Sequence, residues 1–232
     1  MEEKKVPISP RAIIQMLIMV VLIPLAPLLI SRRWDWWEAW AYAGICILGF
    51  AISRWLAAKR NPDLIGERAR FLRHEDTAPW DRVLAPLVGL GGSLIPVAAG
   101  FDALYNWPPA FGLPLRILAL VIILAGYALG AYALIENRFF SGVVRIQAER
   151  GHSVISSGPY RWVRHPGYSS GMLSYLAGPL LLGSYWAMLP AVLLLVVLVI
   201  RTRLEDRYLL ENLEGYREYA GKVRYRLLPG IW

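Results

Sequence analysis

The stretch GPYRWVRHPGYSSG, residues 158–171, places arginines, a histidine, prolines and glycines directly before a strongly apolar run. Arginine and histidine can donate charge-assisted hydrogen bonds to an anion, and proline and glycine bend the backbone. One interpretation is structural, because arginine and histidine also anchor helix ends at lipid headgroups. The other is functional, namely that a charged, soluble molecule binds where the chain enters a membrane.

A second polar stretch, RTRLED at 201–206, follows the same apolar run. Arg201 and Glu205 are four residues apart, as are Arg203 and Arg207. Taken alone, this spacing is typical of a solvated amphipathic helix with i,i+4 ion pairs. If the run between the two polar stretches folds back on itself, however, they meet on one face of the membrane.

Other short motifs are weaker indications of a functional site. GYSSG (167–171) fits the G-x-S-x-G nucleophile elbow, but no histidine follows it, as a hydrolase of that type requires. The three histidines at 74, 152 and 165 are scattered and lack cysteine partners, so no metal site is predicted. Gly126 and Gly130 are spaced for close helix packing, within the chain or against a second copy.

The composition indicates a polytopic membrane protein. Of 232 residues, 56% are hydrophobic and only 18% are charged, and the mean hydropathy is +0.42. The net charge of +8 could suggest a nucleic-acid partner, but the basic residues flank apolar runs, so membrane topology explains them better. The single Cys46 excludes an internal disulfide.

Four membrane spans are predicted, because a crossing needs roughly 20 apolar residues. They cover Ala12–Ile30, Trp36–Ala58, Val83–Phe101 and Ile117–Ile135. Prolines in the first and third spans are expected to kink those helices.

The last apolar run predicts a helical hairpin. From His165 to Ile200 the chain has 36 residues without Asp, Glu, Lys or Arg. One helix of that length would extend about 54 Å, well beyond the roughly 30 Å hydrocarbon core. The sequence GSYW at 183–186 lies in the middle. The expected structure is therefore two short helices, Pro166–Leu182 and Trp186–Ile200, with the second continuing past Arg201.

The basic residues predict the orientation. With the N-terminus inside, the inside segments 1–11, 59–82, 136–164 and 201–232 hold 21 Lys or Arg, and the outside turns hold 3. This bias follows the positive-inside rule. The expected fold is an all-α polytopic bundle of about six crossings, with both termini and a C-terminal cofactor-binding segment in the cytoplasm. We expect one membrane domain, 1–232, with its functional core at 131–232.

GPYRWVRHPGY, the apolar hairpin, RTRLED and GYREYAGKVRYRLLPGIW together resemble the integral-membrane methyltransferases of the isoprenylcysteine carboxyl methyltransferase and phospholipid methyltransferase group. The resemblance covers about residues 130–232, and residues 1–130 carry no such signature. This sequence has Glu205-Asp206 where many members have two glutamates. The shorter second acid preserves the charge but changes the reach of the side chain.

The resemblance implies S-adenosylmethionine as methyl donor. Arg164 or His165 would meet its carboxylate, and the backbone around Pro166 would offer N–H groups at a helix start. Gly171 would leave room for the donor beside the backbone. The cofactor-binding set that the resemblance implies is His165, Pro166, Tyr168, Gly171, Glu205, Asp206, Tyr216 and Tyr219.

The acceptor is expected to be lipophilic and embedded among membrane lipids. A carboxylate acceptor is already ionised, so Arg164 or Arg203 need only orient it. An amine acceptor would need a base, for which Glu205 is the candidate. Asn137 could contact the acceptor's head, or could equally be a helix C-cap. The favoured substrate is isoprenylcysteine-like, with a phospholipid or other lipophilic amine as the alternative.

Two rival classes remain. Membrane sterol-type reductases resemble the hairpin and bind NADPH, but Gly167 stands where their motif has asparagine. A non-catalytic scaffold or small transporter would explain the spans but not the polar stretches at 158–171 and 201–206. The oligomeric state does not follow from the sequence.

Overall fold

The computed structural model describes residues 10–69, 74–106 and 108–232, and every regular element in these ranges is helical. The all-α prediction is therefore confirmed for this part of the chain. The α-helices are α1 (Pro10–Leu17), α2 (Ile23–Ser31), α3 (Trp37–Arg60), α4 (Pro62–Ala69), α5 (Asp81–Gly91), α6 (Leu94–Tyr105), α7 (Leu113–Glu136), α8 (Pro166–Leu181), α9 (Met188–Asn212) and α10 (Tyr216–Lys222).

Four helical stretches are long and apolar enough to cross a membrane: Ile14–Ser31, Trp37–Arg60, Asp81–Tyr105 and Leu113–Glu136. They correspond to the four predicted spans. The first is not a continuous α-helix, because a π-helical segment at Ile18–Leu22 joins α1 to α2. Pro24 follows directly and has no N–H to donate to the carbonyl one turn earlier, which favours such a widening.

The third predicted span, Val83–Phe101, is also broken. It forms α5 and α6, which are separated at residues 92–93. Gly91 and Gly92 adjoin the break, and glycine is a poor helix former. Pro96 lacks the N–H that would otherwise bond to the carbonyl of Gly92. Local backbone chemistry therefore explains why one apolar run becomes two helices.

The predicted hairpin is present as α8 and α9. The chain reverses at Gly183, whose φ of 65° lies in the left-handed region that glycine adopts readily. The Ser184 hydroxyl donates to Asp102 Oδ2 at 2.6 Å and so ties the turn to α6. α8 has 16 residues, or about 24 Å, which is shorter than the roughly 30 Å hydrocarbon core.

α7 packs closely on α8 through small residues. A Cβ at Gly126 would lie 2.8 Å from Ser174 Oγ, and one at Gly130 would lie 2.8 Å from Ser170 Oγ. The two glycines therefore serve close packing within one chain, and they fix α8 beside the end of α7.

Candidate functional site

A buried carboxylate organises the start of α8. Asp206, on α9, is 1% exposed. Its Oδ2 accepts from Arg164 Nη2 at 3.0 Å and from Arg226 Nε at 2.8 Å. Its Oδ1 accepts from the Tyr216 hydroxyl at 2.9 Å and lies 3.3 Å from His165 Nε2. We call these five residues the Asp206 cluster.

Backbone contacts bring the C-terminal segment to the same place. Arg164 N donates to Tyr225 O and His165 N to Arg226 O, each at 2.9 Å. The Ser169 hydroxyl, which the hydrolase pattern would make a nucleophile, donates to Leu227 O at 2.6 Å. Residues 225–227 therefore lie against the first turn of α8. Pro166 stands in that first turn, as predicted, because its fixed φ suits a helix start.

The electrostatics of the Asp206 cluster favour an ionised acid. Burial alone would raise the pKa of Asp206, but the hydrogen bond and charge of His165, the charge of Arg164 and the hydrogen bond of Arg226 outweigh it, and the pKa falls to about 2. The carboxylate is charged at neutral pH and offsets the buried Arg164 cation. The cluster thus joins α8, α9, α10 and the C-terminal segment.

The neighbouring acid is placed differently. Glu205 is only partly buried, and it accepts a hydrogen bond from the Tyr168 hydroxyl through Oε2. Within the described residues its Oε1 has no hydrogen-bond partner. The Tyr168 ring lies parallel to that of His165, with centroids 5.8 Å apart. The Oε1 atom of Glu205 is therefore available to a ligand, while the hydrogen bond from Tyr168 fixes the position of the side chain.

Tyr168 packs on a buried ion pair between Arg201 and Asp81. The guanidinium of Arg201 lies 5.2 Å from the centre of the Tyr168 ring. Its Nε and Nη2 donate to both oxygens of Asp81 at 2.7 and 2.9 Å, and Asp81 is 0% exposed. The backbone N–H of Val144 also donates to Asp81, at 2.7 Å. α5 and α9 are held together directly under the site.

Two predicted residues lie in a neighbouring packed layer. The Tyr219 hydroxyl donates to Tyr160 O at 2.7 Å. Asn137 is the C-cap residue of α7, which is one of the two roles considered for it. Its Oδ1 accepts from Phe139 N at 2.8 Å, and its Nδ2 donates to the Tyr160 hydroxyl at 3.1 Å. A contact of Asn137 with the acceptor stays a prediction.

Gly171 and Arg203 lie apart from the cluster. A Cβ at Gly171 would lie 3.6 Å from Leu198 Cδ1, so this face of α8 packs against α9. Arg203 is exposed on α9. The structure thus brings together six of the predicted site residues, and their individual roles stay predictions: Arg164, His165, Tyr168, Glu205, Asp206 and Tyr216.

Sequence reasoning missed several charged residues of the site. Arg226 lies within the C-terminal motif GYREYAGKVRYRLLPGIW, but no role was predicted for it. Asp81 was not connected with Arg201, from which it is separated by 120 positions. The one available signal was its type, an acid at the edge of a predicted span, where an unpaired charge is costly.

The comparisons with known proteins point to the same helices. Residues 117–211 match the sequence model of the Isoprenylcysteine carboxyl methyltransferase (ICMT) family. Two probable protein-S-isoprenylcysteine O-methyltransferases, from Oryza sativa subsp. indica and subsp. japonica, are each 29% identical over 109 residues, which is 46% of this chain and 57% of theirs. The protein-S-isoprenylcysteine O-methyltransferase of Saccharomyces cerevisiae (strain ATCC 204508 / S288c) is 31% identical over 111 residues, 45% of this chain and 44% of its own.

The chain thus matches about half the length of these curated relatives. The family match contains all but the first four residues of α7, the whole of α8 and all but the last residue of α9, and it includes Arg164, His165, Glu205 and Asp206. The resemblance seen in the sequence is confirmed for this part of the chain, since residues 117–211 match the sequence model of the isoprenylcysteine carboxyl methyltransferase family.

Proposed function

We propose that this protein is an S-adenosylmethionine-dependent methyltransferase that esterifies the carboxylate of an isoprenylcysteine-like acceptor in the membrane. The observation that carries the proposal is the coincidence of the family match with the site. The matched residues 117–211 supply both the Tyr168–Glu205 contact and the Arg164–Asp206 pair. The relatives described above are named as isoprenylcysteine O-methyltransferases, which favours a carboxylate over an amine as the acceptor.

The residues fit the proposed methyl donor. S-adenosylmethionine supplies a methyl group activated on a positively charged sulfur. The available Oε1 of Glu205 can accept hydrogen bonds from an ammonium or from ribose hydroxyls, and its negative charge suits a cationic ligand. Tyr168 holds the other oxygen of Glu205 and so fixes its direction.

Methyl transfer to a carboxylate needs no proton transfer. A carboxylate oxygen forms the new O–CH₃ bond while the S–CH₃ bond breaks, and the electron pair of that bond stays on sulfur. Orientation and exclusion of water matter most for such a displacement. In this proposal the Asp206 cluster is positioning machinery, since Arg164 and His165 are buried within it. Arg203, the other cation predicted to orient the acceptor, is exposed on α9.

We also propose six crossings with both termini cytoplasmic, so that the site faces the cytoplasm, with membrane lipids around the bundle. The support is the distribution of basic residues, 21 in inside segments and 3 in outside turns. The exposed side chains at Trp34 and Arg224 provide suitable positions for a test.

In a Cys46→Ala background, Trp34→Cys and Arg224→Cys are expected to react with a membrane-impermeant maleimide from opposite sides. Labelling of sealed cells or vesicles before and after permeabilisation measures this. Buried Ala119, changed to cysteine, provides an unreactive control. Labelling of positions 34 and 224 from the same side would exclude the proposed topology.

Purified protein in lipid nanodiscs is expected to transfer labelled methyl groups from S-adenosylmethionine to an S-farnesylcysteine derivative with a free carboxylate. The product should be a base-labile methyl ester. Transfer to phosphatidylethanolamine alone would instead establish the amine alternative. Calorimetric binding of NADPH without any response to S-adenosylhomocysteine would favour the reductase and contradict the proposal.

A further inference from the structure

The buried arginines around the site differ in how their charges are compensated. Arg145 lies 3.1 Å from Glu67, Arg164 donates to Asp206 at 3.0 Å, and Arg201 donates to Asp81 at 2.7 Å. Arg54 and Arg68 are partly buried. Within the described ranges, neither of them forms an ion pair with a carboxylate.

Arg54 lies inside the predicted second span, six residues before α3 ends at Arg60. Its Nη1 donates only a long hydrogen bond, 3.4 Å, to Ser53 Oγ. The guanidinium otherwise lies over the ring of Phe50, 4.7 Å from its centre. An ionisable side chain within a membrane segment is costly and usually serves a function.

Arg68, on α4, reaches towards the start of α8. Its Nη1 donates to the carbonyl oxygens of Phe140 and Ser141 at 3.2 and 3.3 Å. Its guanidinium lies 5.2 Å from the centre of the Phe140 ring. That ring also packs on Gly167, where a Cβ would lie 2.5 Å from it. Arg68 is therefore separated by one aromatic ring from the backbone that carries Tyr168.

The positive charges also influence one another. Burial first, and then the nearby charges of Arg54 and Arg201, lower the pKa of Arg68 to about 9, while Tyr168 acts in the opposite direction. At neutral pH the guanidinium still carries its proton. Because Arg201 is already neutralised by Asp81, the uncompensated charges are those of Arg54 and Arg68. An anion between them would relieve this repulsion.

We propose that Arg54 and Arg68 bind the carboxylate of the acceptor and thereby select a carboxylate over an amine. The proposal rests on the methyltransferase function proposed above and adds two residues outside the family match. Two cations facing the acceptor would repel its head if that were an ammonium group, whereas a carboxylate or phosphate could take a bidentate contact from each. The methyl ester formed carries no charge, so it would lose these contacts and leave.

The test compares Arg54→Gln and Arg68→Gln with Arg82→Gln, an exposed arginine that donates to Glu75 O. Each site variant is expected to raise KM for the S-farnesylcysteine acceptor about 10- to 100-fold, the value of one lost charge-assisted hydrogen bond. The dissociation constant for S-adenosylhomocysteine should stay within about twofold, since Glu205 is untouched. The melting temperature should change little, because the relief of charge repulsion offsets the hydrogen bonds that are lost. The control should match the wild type in all three.

Two further experiments, with Lys variants and with competing anions, distinguish the possible results. Arg54→Lys and Arg68→Lys keep a charge without the planar fork, so an intermediate KM is expected if the Gln variants fold poorly. Farnesyl monophosphate and inorganic phosphate are added as competitors, and competition by the former alone would identify a prenylated anion as the ligand. Unchanged KM in both Gln variants of an active enzyme would overturn this inference alone. A wild type that transfers no methyl group would instead refute the proposed function.

Discussion

Asp206→Asn is expected to lower the free energy of unfolding by about 3–5 kcal/mol, the usual cost of removing one partner from a buried ion pair. The variant leaves the buried Arg164 and the neighbouring Arg226 without their shared carboxylate. It also weakens the contacts of Tyr216 and His165. The C-terminal segment should then detach from the start of α8. Equilibrium unfolding in mixed micelles measures the loss.

Glu211→Gln is the matched control, because Glu211 lies on the same helix and pairs with Arg207 on the exposed surface. An exposed i,i+4 pair contributes only about 0.3–0.5 kcal/mol. Similar unfolding curves for the two variants would show that the Asp206 cluster is not a stabilising centre. Loss of S-adenosylhomocysteine binding in Asp206→Asn should accompany the loss of stability.

The cluster also has a defined pH signature. The pKa of Asp206 falls from an ordinary 3.8 to about 2 in the folded protein. A depressed carboxyl pKa contributes stability that is complete above the unfolded value and is lost as the pH falls towards the folded value. The difference in stability between wild type and Asp206→Asn should therefore narrow between about pH 4 and pH 2.

The hairpin could be predicted because it depends on local information. A run of 36 residues without acidic or basic side chains, interrupted by GSYW, fits two short helices better than one long helix. The meeting of the two polar stretches then follows from the reversal of the chain. The structure agrees, since Tyr168 near the start of α8 contacts Glu205 near the end of α9.

The distinction between the adjacent acids could not be read in the same way. Glu205 and Asp206 have similar chemistry, and a difference of one residue is a turn of about 100° around a helix. That turn directs Asp206 into the C-terminal segment and leaves Glu205 partly exposed. The partners of Asp206 come from three separate parts of the chain, so no local pattern specifies them. Although aspartate is shorter than glutamate, Asp206 accepts hydrogen bonds from Arg164, Tyr216 and Arg226.

Arg164 or His165 was expected to contact the methyl donor, and that role stays a prediction, while the structure buries both residues around Asp206. Their type and spacing are the same in either role. Their burial depends on the return of residues 225–227 across the start of α8, a contact between segments about 60 positions apart. The Asp81–Arg201 pair was missed for the same reason, since it depends on how α5 packs on α9.

Glu205→Gln is expected to weaken S-adenosylhomocysteine binding about 10- to 100-fold, the cost of losing a charge-assisted hydrogen bond of roughly 1.5–3 kcal/mol. Glu205 is the member of the acidic pair whose Oε1 is available to a ligand. Because it makes one hydrogen bond within the described chain, with Tyr168, its replacement should leave the melting temperature of the ligand-free protein unchanged. Isothermal titration of both variants, Glu205→Gln and Asp206→Asn, measures affinity, and thermal melting measures stability.

Tyr168→Phe provides the matched comparison, because it removes the hydroxyl that orients Glu205 while preserving the ring. Its affinity should fall by less than that of Glu205→Gln, since the carboxylate charge remains. An unchanged dissociation constant in Glu205→Gln would remove Glu205 from the cofactor site. If Glu205→Gln instead melted as early as Asp206→Asn, the two acids would share one structural role. Both variants are expected to bind the cofactor more weakly, but only Asp206→Asn should lose stability, because adjacent positions on α9 face a ligand on one side and the Asp206 cluster on the other.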